Sequence, residues 1–365
     1  MNRCPEAGRV LMAGFEGTQV NEQVRELLKF GVGGFILFRR NLESAEQAAG
    51  LIAEIRALAG NRRLLFAIDE EGGRVQRLRQ IGTVWPPARV IGATGDVQLV
   101  ARFAGALGIE LRALGFDLNF APVVDVDSNP DNPVIGDRSF AADPHTVADL
   151  TTTFIREMQA AGVAACAKHF PGHGDTDVDS HYELPLVHHD RARLDELELV
   201  PFRAAAAAGV AGVMSAHVIV ERIDATHPAT MSPAVLGILR NEIGFDGVIF
   251  SDDLEMGAIA DNFPLGETAL AAARAGCDML LVCLEIDLQE AAFRALHDSR
   301  TSRTLPDDRL RAMNRRLDAL AARFPAPGRG ELSVLGSEAH RALAREIEAA
   351  GRAGLTENGA NTKQS

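Results

Sequence analysis

Short apolar runs alternate with longer stretches of helical spacing almost from end to end of this chain. The runs fall at residues 10–15, 33–38, 64–69, 116–124, 164–170, 212–217, 247–252 and 278–283. Between them, residues 20–30, 45–58, 97–114, 146–161, 194–208, 233–243 and 267–275 combine helical periodicity with strong helix formers. Glycines that suit a helix C-cap precede many of the runs, among them Gly31, Gly115, Gly162 and Gly276. Runs that are apolar throughout suit parallel strands, which are buried on both faces. The alternation, with eight strands, predicts an α/β fold: a closed (β/α)8 TIM-type barrel in a single domain. An open doubly wound sheet is the competing architecture, and eight is the number that closes.

The chain is 365 residues long, and its character changes after about residue 299. Residues 310–324 read as a basic amphipathic helix, 325–330 as a turn-rich break and 337–350 as a further helix. The expected organisation is a barrel over 1–300, C-terminal helices packed on it over 301–350, and a flexible tail over 351–365. A hydrophobic content of 47% with 24% charged residues argues against global disorder. A formal charge of −13 argues against a nucleic-acid partner, which needs a concentrated basic surface. No stretch approaches the roughly 20 apolar residues of a membrane span. The apolar segment 10–15 is too short for a secretory signal, so a cytoplasmic protein without membrane association is expected. Cys4, Cys166, Cys277 and Cys283 are scattered and read as free thiols in a reducing compartment.

In a parallel barrel the active site lies at the C-terminal ends of the strands. Here those ends carry polar residues that the strand interiors lack. They are Asp69-Glu70-Glu71 after the third run, Asp125 and then Asp137-Arg138-Ser139 after the fourth, Lys168-His169 at the fifth, His217 at the sixth and Ser251-Asp252-Asp253 at the seventh. So many charged and imidazole groups around one barrel mouth would be costly to desolvate unless paired or used. Blander readings stand beside this one. Asp69 and Asp252 could be helix N-caps, Glu70 and Glu71 first-turn acids, Arg138 a surface charge, and Asp125 and Asp127 shapers of their loop.

The segment 172–185, Gly-His-Gly-Asp-Thr-Asp-Val-Asp-Ser-His-Tyr-Glu-Leu-Pro, is the most unusual in the chain. Its glycines and small polar residues predict a mobile loop. His173, Asp175, Asp179 and His181 could ligate a metal. Alternatively Asp179 orients His181 as a proton-transfer dyad, or the loop is simply solvated and polar.

Five segments bear on these readings. Lys168-His169-Phe170-Pro171-Gly172-His173-Gly174, Asp179-Ser180-His181 and Ser251-Asp252-Asp253-Leu254 resemble family 3 glycoside hydrolases, specifically bacterial single-domain β-N-acetylhexosaminidases of peptidoglycan recycling. The segments 69–77 and 136–140 are similar to the same group, and the resemblance runs in order from about residue 8 to about 300. It implies a retaining enzyme in which Asp252 forms a covalent glycosyl-enzyme and His181, paired with Asp179, is the acid/base. It further implies that Asp69, Arg77, Arg138, Lys168 and His169 bind the sugar. The implied substrate is a saccharide or muropeptide with terminal β-linked N-acetylglucosamine on a 1,6-anhydromuramoyl unit. The implied setting is cell wall biogenesis, with its links to cell shape and division. Neither metal nor cofactor is called for, and a monomer is expected.

The physical logic agrees with that implication. Retaining glycosidases use one group to attack C1 and a second to protonate the leaving oxygen and then activate water. A His–Asp dyad with an unperturbed imidazole pKa of about 6.5 serves both steps near neutral pH. A neutral imidazole also tolerates an anionic acceptor, so phosphorolysis remains a variant. Two readings of other classes stay open: a metal-dependent hydrolase and a sugar-binding protein without catalysis.

Overall fold

The computed structural model describes residues 5–176, 184–328 and 330–361. Eight parallel strands close into a barrel: β1 (Leu11–Ala13), β2 (Gly34–Leu37), β3 (Leu65–Ile68), β4 (Leu118–Asn119), β5 (Ala164–Phe170), β6 (Gly212–Ser215), β7 (Val248–Asp253) and β8 (Met279–Val282). Closure comes from β1, which pairs with β2 on one side and with β8 on the other, Leu11 opposite Leu280. The open sheet is thereby excluded. Each strand falls on a predicted run, β7 extending one residue further. Strand β4 is much shorter than its run, because Pro122 has no N–H to donate to the ladder. Pairing resumes as a single bridge between Val123 and Lys168.

Several of the outer helices begin where a polar side chain caps them. Asn21 caps α1 (Glu22–Phe30), Ser44 caps α2 (Ala45–Ala59), Asp96 caps α3 (Val97–Leu114) and Asp143 caps α4 (Pro144–Ala160), each side chain accepting a backbone N–H of the first turn. The stretch 194–208 was expected to be one helix. It is two, Arg191–Glu196 and α5 (Leu199–Ala207), because Pro201 lacks a donor and is accommodated only in a first turn. Ser232 caps α6 (Pro233–Gly237), which widens into a π turn over Ile238–Glu242, and α7 (Leu265–Ala275) and α8 (Ile286–Ser302) complete the ring.

Phenylalanines fill the barrel and its shell. Phe35 stacks on Phe66 with ring centroids 5.9 Å apart, and Phe120 meets Phe250 edge-on at 5.3 Å. Burying one such side chain contributes about 1.5–3 kcal/mol. At the N-terminal face two buried carboxylates brace the strands. Asp117 accepts the Phe66 amide and pairs with Arg56 and Arg63, while Asp278 accepts the Ile249 amide and pairs with Arg240 and Arg309. Pairing of this kind is required, since an isolated buried charge would be very costly.

Helix α9 (Asp307–Arg323) reaches that face through Arg309 and Arg316. Helix α10 (Glu338–Asn361) runs well past residue 350, where a flexible tail was expected. Two glycines of that stretch, Gly351 and Gly354, are contact points. A Cβ on Gly351 would lie 2.0 Å from the Val90 carbonyl oxygen, and one on Gly354 would lie 2.0 Å from that of Ala93. Close approach of two backbones is a use for glycine as general as chain breaking. Among the described residues no helix is long and apolar enough to cross a membrane.

Candidate active site

Polar residues from several strand ends meet in one pocket at the C-terminal mouth of the barrel, with a volume of about 330 Å³. Asp69, Arg77, Arg138, Lys168, His169 and Asp252 all line it. Six of the eight residues singled out from the sequence are therefore brought together; Asp179 and His181 lie outside the described residues.

Strand β3 delivers Asp69, and the chain then folds back as a short antiparallel ribbon, Glu70–Gly72 against Val75–Gln76. The sequence allowed Glu70 and Glu71 to be first-turn helix acids, and the ribbon replaces that reading. Its turn needs glycine: Gly73 has φ +57°, and a Cβ there would lie 2.6 Å from that of Pro87. The ribbon points Glu71 into the site. Its carboxylate takes a two-pronged grip from Arg138, at 2.9 Å from Nε and 2.8 Å from Nη2, and a third contact from Lys168 Nζ at 2.6 Å. Lys168 also donates to Asp69 Oδ1 at 2.7 Å. Two cations and two carboxylates thus form one network on one wall of the pocket.

Burial opposes the charges of Glu71 and Lys168, and their neighbours sustain them. Burial opposes the Glu71 charge, yet Arg138 and Lys168 hold its pKa well below the usual carboxylate range. Burial also opposes the Lys168 ammonium, and Asp69 and Glu71 outweigh it, so the lysine keeps its proton.

His169 is fixed by Asp125. The Asp125 carboxylate accepts from His169 Nδ1 at 2.7 Å, from the His169 backbone amide at 3.1 Å and from the His173 amide at 2.8 Å. Burial pushes the Asp125 pKa up, but His169 and the other donors pull it below its ordinary value. With the proton on Nδ1 directed at Asp125, the Nε2 lone pair faces Arg138, 3.4 Å away, and the pocket.

Asp252 stands near the end of β7. Burial disfavours its charge, while His217, His169, the Asp253 amide at 2.8 Å and Lys168 favour it, so its pKa lies below the ordinary value. Its neighbour behaves oppositely. Asp253 is pushed up to about 7 by burial and by the charges of Glu255 and Asp252. Adjacent carboxyl groups with pKa values driven apart suit different tasks, and the ionised one is the better nucleophile. His217 holds this peptide in place, with Nε2 at 2.9 Å from the Asp253 carbonyl oxygen and Nδ1 at 2.9 Å from Thr230 Oγ1.

A model of the glycosyl hydrolase family 3 N-terminal domain matches residues 7–320. The chain belongs to family 3 of the glycoside hydrolases. It is therefore an enzyme that cleaves glycosidic bonds. It is similar to proteins named beta-hexosaminidase from Alkalilimnicola ehrlichii, 44% identical over 79% of this chain and 84% of that protein, and from Nitrosospira multiformis, 43% identical over 77% and 82%. Among solved structures it is similar to a family 3 β-N-acetylglucosaminidase from Paenibacillus sp. FPU-7, with a TM-score of 0.92, 42% identity, and coverage of 96% of this chain and 69% of that one. It is also similar to NagZ from Neisseria gonorrhoeae in complex with N-trifluoroacetyl-D-glucosamine, with a TM-score of 0.78, 36% identity, and coverage of 94% and 98%.

In this family 3 hydrolase the candidate metal ligands of the loop have other partners where they are described. His173 Nδ1 lies 2.7 Å from Thr176 Oγ1, and burial together with His169 pushes its pKa down to about 4. Asp175 pairs with His189. Among the described residues no three His, Cys, Asp or Glu side chains are grouped to hold a metal ion. Sequence reasoning placed Glu71, Asp125 and His217 at the barrel mouth but gave them no role in the site. The signal available for each was its position at or just beyond a strand end, shared with the residues that were found.

Proposed function

We propose that the enzyme is a retaining β-N-acetylhexosaminidase that releases terminal β-linked N-acetylglucosamine, with Asp252 as nucleophile. The observation that carries this reading is the ionised Asp252 sharing one small pocket with the Asp69–Lys168–Glu71–Arg138 network and with His169. The network presents donors and acceptors to a sugar's hydroxyls, and Asp252 is available for its anomeric carbon. His181, assisted by Asp179, supplies the proton to the leaving oxygen and afterwards activates the acceptor. The relatives' names support N-acetylglucosamine as the glycone. The natural acceptor side is a 1,6-anhydromuramoyl unit, with or without peptide, met in the cytoplasm by a monomeric enzyme during peptidoglycan recycling.

The test is product analysis. With an aryl N-acetyl-β-glucosaminide, NMR should show β-N-acetylglucosamine as the first product in water. The 1,6-anhydromuramoyl disaccharide should be cleaved, and added phosphate should show whether phosphorolysis competes. First formation of the α anomer would exclude the retaining mechanism, and inertness of all N-acetylglucosaminides would exclude the substrate class.

A further inference from the structure

Helix α10 lies beyond residue 320, where the family match ends, yet it grips the part of the chain that builds the pocket. At its start, His340 Nδ1 donates to Glu110 Oε1 at 2.8 Å, and the amide of Gly336 donates to the same oxygen at 3.1 Å. Glu110 sits on α3 and is 1% exposed. Its other contacts are the hydroxyl of Thr83 at 2.5 Å and the amide of Thr83 at 3.0 Å. One buried carboxylate therefore ties α10 and the segment around Thr83 together with four donors. Trp85, the single tryptophan, packs between Phe103 of α3 and the His340 ring. Farther along, Gly351 and Gly354 seat α10 directly on the backbone of residues 90 and 93.

Thr83 passes this restraint inward. Its carbonyl accepts Gln76 Nε2 at 2.6 Å, and Gln76 is on the outgoing strand of the ribbon. The incoming strand is held to the barrel by Asn119, which exchanges hydrogen bonds with the Glu70 backbone. The outgoing strand and the turn after it are fastened by Thr83 and by Glu70, whose Oε2 accepts the amides of Arg77 and Leu78. Arg77 emerges here. Its guanidinium lies over the Phe38 ring, 3.9 Å from Asp69 Oδ2, and lines the pocket.

We propose that α10 is a positioning element of the active site, acting through His340, Glu110, Thr83 and Gln76 to set the segment that presents Arg77 to the sugar. The inference rests on the glycosidase reading for its kinetic consequence and stands on geometry alone for its mechanical one. A positional role predicts weaker substrate binding when the clasp is cut, beyond any loss of stability.

His340→Ala removes the donor, and His340→Asn replaces it with an amide N–H near the Nδ1 position. In the enzyme, with far-UV circular dichroism confirming the fold, His340→Ala should raise KM for an aryl N-acetyl-β-glucosaminide roughly tenfold and leave kcat within about twofold. His340→Asn should restore most of the loss. Hydrogen exchange at residues 75–78, read without substrate, should quicken in His340→Ala and recover in His340→Asn. A folded His340→Ala enzyme with wild-type exchange would overturn the inference whether or not the wild type accepts N-acetylglucosaminides. Faster exchange with an unchanged KM would also overturn the positioning role, leaving α10 a stabilising element only.

Discussion

Asp125 and His169 are joined twice, through the ring Nδ1 at 2.7 Å and through the backbone amide at 3.1 Å, so one carboxylate fixes both the tautomer and the placement of the imidazole. Asparagine at 125 would be nearly isosteric but could present its NH2 to Nδ1 and allow the other tautomer. The Nε2 atom would then carry a proton facing Arg138 and lose its acceptor role toward a sugar hydroxyl. Asp125→Asn should lower kcat/KM by about one to two orders of magnitude, as loss of an orienting partner commonly does. The effect should appear mainly in KM, because His169 is assigned to binding. A variant with unchanged KM would refute this account of the pair.

Asp252 and Asp253 are neighbours with opposite tendencies, and only the first is held ionised. Asp252→Ala should remain folded and lose nearly all turnover. A slow-reacting fluorinated N-acetylglucosamine donor should label Asp252. A peptide map placing the label on Asp253 would overturn the assignment of the nucleophile.

The general acid can be recognised by its leaving-group dependence. His181→Ala should lose roughly 10²–10⁴-fold on the natural disaccharide and far less on an aryl glycoside with an acidic phenol. Asp179→Asn should follow the same trend more weakly. An unchanged leaving-group slope would remove His181 from the role. Inactivation of the wild type by a chelator, reversed by added metal, would favour the metal-dependent alternative.

The barrel was legible because its strands are apolar runs of the right length, and Lys168, His169 and Asp252 stood out as polar residues at the ends of such runs. Glu71 and Asp125 were harder to read because their roles depend on partners far away in the chain. Glu71 meets Arg138 only because a glycine turn folds the ribbon back against Pro87, and Asp125 caps amides 44 and 48 residues ahead. His340 lies 230 residues from Glu110, and no local pattern links them. The end of α10 was misplaced for a related reason. A glycine that breaks a solvated helix and one that lets a helix touch a neighbouring backbone look alike in sequence.

Glu70 offers a test of buried acid chemistry beside the site. Burial pushes its pKa up to about 8, although the amides of Leu78 and Arg77 pull the other way at Oε2. Its second oxygen, Oε1, is buried without a donor, and so is Gln76 Oε1. Gln76 Nε2 gives one N–H to the Thr83 carbonyl, and the Gln76 side chain also pulls the Glu70 pKa down, less strongly than burial raises it. A proton on Glu70 would remove the charge that burial disfavours. Burial therefore favours the neutral acid in the folded protein. The folded pKa lies above the ordinary 4.5, so the stability this group contributes is complete below about pH 4.5 and is lost as pH rises through about 8. Each pH unit within that window is worth up to about 1.4 kcal/mol. Glu70→Gln keeps an acceptor for the two amides and does not titrate. The variant should match the wild type in Tm near pH 5 and exceed it increasingly toward pH 8. A constant difference in Tm across that range would show that Glu70 is already ionised in the native protein.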